Sequence, residues 1–198
     1  MGRPTKFNRD DAIEIAMNTF WTKGYGPTSV SDLASAMSIT RSSFYNSFTN
    51  PENVFAEALV RYKSDNIDLP LTSHMHGVSA SDTLHMFFNA VCEKLAADPM
   101  ARGCMIINCY VQASEEKPAP PGVHAFIDKK LQQFATRIDE AKAEGTLKQV
   151  TDTQILATSL LIFLIGLNII VKTVRDEDTL KATAKQFLEH AGFPSPLN

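Results

Sequence analysis

The sequence predicts an all-α protein of about nine helices, a small three-helix head followed by a larger helical domain. Three observations carry this. Apolar residues recur at three- and four-residue spacing along most of the chain. The runs open on Ser, Thr, Asp or Asn and close near Gly or Pro. No alternating run is long enough to argue a strand. At 198 residues the chain can bury a full core.

The elements follow in order. Asn8 caps a first helix, with Asp10 and Asp11 in its positive first turn. Ile13, Met17, Phe20 and Trp21 form its apolar stripe, and Gly24 ends it. Ser29 with Asp32 has the spacing of a capping box, opening a short helix that buries Val30, Leu33, Ala34 and Met37. Thr40 caps the next short helix, which runs to about Phe48. Asn50 caps a fourth, with Pro51 first inside, where its missing N–H costs nothing. The stretch 69–80, with Pro70 and Gly77, reads as a loop. Leu84 to Leu95 and Cys104 to Ser114 read as helices, then "KPAPPG" interrupts. Phe126 to Ala141 is a long amphipathic helix. Thr151 with Gln154 caps an apolar helix, and Asp178 caps the last one, which holds Leu180, Phe187 and Leu188.

The apolar run "ILATSLLIFLIGLNIIV", 155–171, carries no charge over 17 residues. That is the lower edge for a membrane span. Thr158, Ser159 and Asn168 interrupt it and no Trp or Tyr belt flanks it, so it reads as a helix buried on most faces or at a dimer interface. The helix pair 152–191 carries more apolar surface than one subunit easily covers, which predicts a two-fold homodimer. "MGRPTKFNRDD" lacks the apolar core of a secretory leader, and three scattered cysteines do not make a disulfide framework. Both fit a cytoplasmic protein. Net charge is −3, divided unevenly. Residues 1–63 hold seven Lys and Arg against six Asp and Glu, and residues 64–198 hold twelve against sixteen. Arg3, Lys6 and Arg9 concentrate positive charge at the N-terminal end, where a polyanion would be met.

Two short capped helices joined by a tight turn make a helix-turn-helix, whose second helix enters the major groove in DNA-binding proteins. In Thr40–Phe48, Phe44 and Phe48 are four apart and face a small core. Arg41, Ser42, Tyr45 and Asn46 are left on the other faces. Arg offers a bidentate fork to guanine, Asn pairs with adenine, and hydroxyls suit phosphates. The same pattern fits a capped helix of a generic bundle, and the residues alone leave both readings open.

The stretch "TSVSDLASAMSITRSSFYNSFTNPENVFAEAL", 28–59, resembles the DNA-binding domain of the TetR family of bacterial transcriptional regulators. Leu33-Ala34, the Thr40 cap and the Phe44-Tyr45-x-x-Phe48 run carry the resemblance, with Ala16, Phe20 and "KGY" at 23–25 before them. The resemblance implies a DNA-binding head over 1–50 and an effector-binding and dimerisation domain over 51–198. It implies a dimer on a pseudo-palindromic double-stranded operator, released by a small molecule. Thr28 would sit by the DNA backbone, Thr40, Arg41, Ser42 and Ser43 would line the start of the recognition helix, and Tyr45 would meet a phosphate. Lys6 belongs to the basic arm. The chain departs from the family at Ser38 and Ser42, where Gly is usual, and at Pro51, where Lys is common. A Ser at position 38 predicts a strained or altered turn.

Such a regulator needs an effector with different affinity for two conformations. Candidate lining residues are Phe88, Cys92, Met105, Cys109, Tyr110, Phe126, Phe134 and Phe163, each of which also fits plain core packing. In "ARGCMIINCY", Cys104 stands at a helix start beside Arg102, where a thiol becomes more reactive, so it is also a candidate sensor of oxidants or electrophiles, the alternative being a small buried side chain that lets helices approach. A catalytic thiol is disfavoured, since no Cys-His-Asn pattern accompanies it. No cofactor motif is present, and His74, His76 and His85 lack the spacing of metal ligands.

Overall fold

The computed structural model describes residues 8–63, 68–73, 76–147 and 152–195. These form ten helices in the order α1 (Arg9–Lys23), α2 (Val30–Ala36), α3 (Arg41–Ser47), α4 (Pro51–Tyr62), α5 (Leu69–Thr72), α6 (Ala80–Ala97), α7 (Met105–Val111), α8 (Pro121–Ala143), α9 (Thr153–Ile170) and α10 (Glu177–His190). The helix beyond the nine expected is α5, a single turn in the stretch read as loop. Four residues are too few to display a period, and Pro70 sits in its first turn, where proline is tolerated.

The N-terminal caps form as the sequence predicts at four helices. Asn8, Ser29, Thr40 and Asn50 accept from Asp10, Asp32, Ser43 and Asn53. At Ser29 both halves of the capping box are present. One expected cap moves. Asp176, not Asp178, caps α10, its Oδ2 accepting the Thr179 N–H at 2.8 Å, and Asp178 lies in the first turn. Asp152 caps α9 through the Gln154 and Ile155 N–H groups, and the expected Thr151 cap lies outside the described residues.

The contacts divide the chain into two compact units, Met1–Asp65 with Met105–His124, and Asn66–Cys104 with Ala125–Asn198. The first is built on aromatic rings. Phe20 of α1 meets Phe55 of α4 edge to face at 5.1 Å, and Phe44 and Phe48 lie 5.3 Å apart. Leu33, Phe44 and Val54 are fully buried. Burying each such side chain contributes about 1.5–3 kcal/mol. Trp21 packs edge-on against Tyr62, whose hydroxyl accepts the first N–H of α7 from Met105 at 3.2 Å.

In the second unit, α6 buries Leu84, Phe87, Phe88, Val91, Cys92 and Leu95. It packs on α10, which buries Leu180, Ala184 and Leu188. From α9 the buried set includes Leu156, Leu160, Leu164 and Leu167. Within one subunit 39% of α9 is buried, less than a fully covered core helix, as the dimer-interface alternative of the sequence reading allows. Its 18 residues, with mean hydropathy 2.0, are long and apolar enough to cross a membrane by length and composition.

Candidate nucleic-acid interface

The turn between α2 and α3 ends α2 in a Schellman motif. The Ile39 N–H reaches the Ala34 carbonyl at 2.9 Å and the Ser38 N–H reaches Ser35 at 3.1 Å. This geometry puts Ser38 at φ 56°, in the left-handed region that favours glycine. The departure noted at Ser38 therefore strains the usual turn without replacing it.

Beyond the turn, Thr40 organises the start of α3. Its Oγ1 accepts the Ser43 N–H at 3.1 Å and lies 2.9 Å from both the Ser42 and Ser43 hydroxyls. Phe44 is buried and anchors the helix, while Arg41, Ser42, Ser43, Tyr45 and Asn46 are exposed. The Tyr45 ring is braced edge-on by Phe44 at 5.7 Å, and the residue is exposed. Arg41 reaches back to α2, donating from Nε to Ser31 Oγ at 2.8 Å and from Nη2 to the same oxygen. Thr28 is held differently. Its hydroxyl donates to the Gly24 carbonyl at 2.6 Å, so its proton is spent on the end of α1. Lys6 lies outside the described residues.

Sequence reasoning missed two supports. Arg9, counted there as free positive charge, donates to the Ser47 carbonyl at 2.7 Å, pairs with Glu57 at 2.6 Å and stacks over the Phe48 ring. It therefore fastens the C-terminal end of α3. Lys23 pairs with Asp32 at 2.6 Å. The hydrogen bonds to Asp32 from Lys23 first, then Ser29, hold its carboxyl well below the usual carboxylate range. Neither partner has a sequence signal, because each contact is made between helices.

The candidate effector residues fall into both units. In the second, Phe88 stacks on Phe134 at 6.0 Å and lies 5.5 Å from Phe163, which stacks on Phe187 at 4.0 Å. The Phe126 ring stands 5.2 Å from the Lys130 ammonium. Cys92 is buried, and burial pushes its thiol up to about 11. Cys104 is half-buried, and its N–H donates to Asn168 Oδ1 at 2.8 Å. Its neighbour Gly103, at φ 75°, passes so close to α9 that a Cβ there would lie 2.8 Å from the Asn168 carbonyl. Arg102, expected to act on the thiol, bonds both carboxylate oxygens of Asp98. In the first unit, Met105 and Cys109 are buried and Tyr110 is partly exposed, its ring 5.8 Å from His124. Cys109 lines a cavity of about 300 Å³ with Tyr25, Pro27, Gln112 and Lys117. Among the described residues no three His, Cys, Asp or Glu side chains gather as a metal site.

Two family models match. One, bacterial regulatory proteins of the tetR family, covers residues 12–58, and the other, the tetracyclin repressor-like C-terminal domain, covers 80–187. The chain is 30% identical over 177 residues to the HTH-type transcriptional repressor ComR of Escherichia coli, covering 85% of this chain and 81% of ComR. It is 26% identical to the HTH-type transcriptional regulator YezE of Bacillus subtilis, covering 91% of this chain and 94% of YezE. A cysteine mutant of the TetR family regulator CifR, solved with 26-base-pair double-strand operator DNA, superposes with a TM-score of 0.79 at 28% identity. That match covers 94% of this chain and 98% of CifR. With a helix-turn-helix head whose α3 presents a solvent-exposed polar face, the chain belongs to the TetR family of bacterial regulatory proteins and is a transcriptional regulator, not an enzyme.

Proposed function

We propose that the protein is a dimeric, cytoplasmic repressor that binds a pseudo-palindromic double-stranded operator and leaves it when a small molecule binds. Residues 1–50 serve as the reading head and 51–198 as the effector-binding and dimerisation domain. The observation that carries this reading is the two-sidedness of α3: Phe44 is wholly buried while Arg41, Tyr45 and Asn46 stand in solvent. On this reading Thr40, Ser42 and Ser43 line the DNA with Arg41, Tyr45 meets a phosphate, and Thr28 and Lys6 flank the contact. That CifR, a structural neighbour, was solved with double-strand operator DNA supports an operator as the partner. The rings of Phe88, Phe126, Phe134 and Phe163 are the proposed effector contacts in the second unit.

The dimer is supported by α9. Ile155, Ile162 and Ile169 are exposed and recur every seven residues, with half-buried Ser159 and open Gly166 between them. An apolar seven-residue repeat is the seam that two helices bury against each other.

A gel shift with the DNA upstream of the gene tests the reading. Binding weakens steeply as salt rises, because Lys and Arg contacts to phosphate release counterions. No salt-sensitive specific complex at low salt would sink it.

A second reading makes Cys104 the sensor, with an electrophile bonding to Sγ as the thiol proton leaves. The observation favouring it is that Cys104, unlike Cys92 and Cys109, is not buried. Release of DNA by an electrophile from a Cys104→Ser protein would exclude it.

A further inference from the structure

Arg41 does not wait for DNA as a free side chain. It extends from the first position of α3, and its Nε and Nη2 both donate to one oxygen, Ser31 Oγ, on the second residue of α2. We infer that Ser31 is a positioning residue for base recognition: it fixes the Arg41 guanidinium so that its free edge meets a guanine. The inference rests on the reading of α3 as the recognition helix.

The chemistry of the fork supports it. A guanidinium has five N–H groups in one plane. Ser31 takes the edge formed by Nε and Nη2. The other edge, made by Nη1 and the second hydrogen of Nη2, is still available. That edge carries two N–H groups side by side, the pattern that matches O6 and N7 of guanine. One guanidinium therefore serves both partners at once, and the serine does not compete with the base.

Fixing also matters energetically. An unsupported Arg side chain samples many rotamers and loses that freedom on binding. Here the cost is met within the folded head, because Ser31 sits on a helix that is itself fastened. Ser29 and Asp32 cap α2, Lys23 ties Asp32 to α1, and Leu33 and Ala34 bury its inner face. Ser31 itself is half-buried, so it forms a firm support at the edge of the exposed face.

The test uses the full chain and a duplex that the unaltered protein selects from a randomised pseudo-palindromic library. Arg41→Ala identifies the base pair whose preference depends on Arg41. At that pair, Ser31→Ala is expected to cut the preference by about fivefold to tenfold, a part of what a good bidentate pair supplies. Ser31→Thr, which keeps the oxygen, retains the preference. In the Arg41→Ala background Ser31→Ala changes nothing further, and the salt dependence of binding is the same in the unaltered, Ser31→Ala and Ser31→Thr proteins. Alanine is the better helix former, so the variant keeps α2. An unchanged preference overturns the inference. So does an equal loss of affinity for every base, which would make Ser31 a phosphate contact, or the same loss without Arg41. In each of these cases an intact salt-sensitive complex leaves the DNA reading standing. If the unaltered protein selects no duplex, the DNA reading falls and the inference with it.

Discussion

The Lys130 ammonium lies 2.6 Å from Asp68 Oδ1, and the lysine is 1% exposed while the aspartate is 32% exposed. The rings of Phe87 and Phe126 stand 5.1 and 5.2 Å from the same nitrogen. This is a lysine taken out of water and matched by one carboxylate and two π faces. Asp68, at the N-terminal end of α5, makes no side-chain cap there.

The pair predicts an asymmetry between its two partners. Asp68→Ala leaves a buried ammonium uncompensated and should cost about 2–3 kcal/mol, somewhat less than for a fully buried pair since Asp68 meets water. Lys130→Met removes the charge and keeps the chain, and should stay within about 1 kcal/mol of the unaltered protein. Urea unfolding at fixed protein concentration measures both. Burial also lowers the Lys130 pKa. The unfolded state then binds more protons as pH nears the ordinary lysine range, so this group's contribution to stability rises with pH there. A Lys130→Met protein should lose that rise.

Ser38 predicts a gain. Its φ of 56° is strained for any side chain, and the Schellman bonds around it do not need the hydroxyl. Ser38→Gly relieves the strain, at some cost from the freer unfolded chain. The net expectation is about 0.5–1 kcal/mol of added stability with DNA affinity unchanged. A thermal melt in which Ser38→Gly is the less stable protein would show that the turn is not under strain.

The caps and the strained turn belong to what was legible beforehand. Asn8, Ser29, Thr40 and Asn50 cap within their own first turns, and such local signals survive in sequence. Phe44 and Phe48 were legible for the same reason, being four residues apart, Phe44 in α3 and Phe48 directly after its end. The contacts that escaped are between helices. Lys130 lies on an amphipathic helix where lysine ordinarily faces water, and its partner is 62 residues away. Asn168 looked like an interruption of an apolar run, yet it receives the Cys104 N–H from 64 residues away. That contact, with the close passage of Gly103, is in keeping with the packing alternative for Cys104, a small side chain that lets helices approach. The Ser31 support of Arg41 likewise joins two helices across the turn.

Asp32 predicts an acid-sensitive head. Its carboxyl is held low by Lys23 and then by Ser29, so its pKa in the folded protein lies below its ordinary value of 3.8. The stabilisation is therefore complete above that value and is lost as pH falls through the folded one. Asp32→Asn should be less stable at pH 7 and should show a shallower loss of helix signal below about pH 4. Parallel acid titrations followed by circular dichroism check this. Curves of equal steepness in both proteins would mean that the Asp32 contacts carry no net stabilisation.

The α9 seam predicts where the dimer breaks. Ile162 is 65% exposed at the middle of the repeat, between Ile155 and Ile169. In a two-fold interface each residue is used twice, so one substitution acts on both copies. Burying an isoleucine contributes about 1.5–3 kcal/mol per copy. Ile162→Lys removes this from both sides and brings two ammonium groups into one apolar seam. The dimer dissociation constant should therefore rise by at least about 100-fold. Val60, on α4, is 73% exposed and lies outside the repeat, so Val60→Lys should leave association unchanged. Sedimentation over a concentration series separates the two proteins, and circular dichroism shows whether each keeps its helices. A folded Ile162→Lys protein that sediments like the unaltered one would place the dimer on another face, and the exposed isoleucines of α9 would then need a different partner.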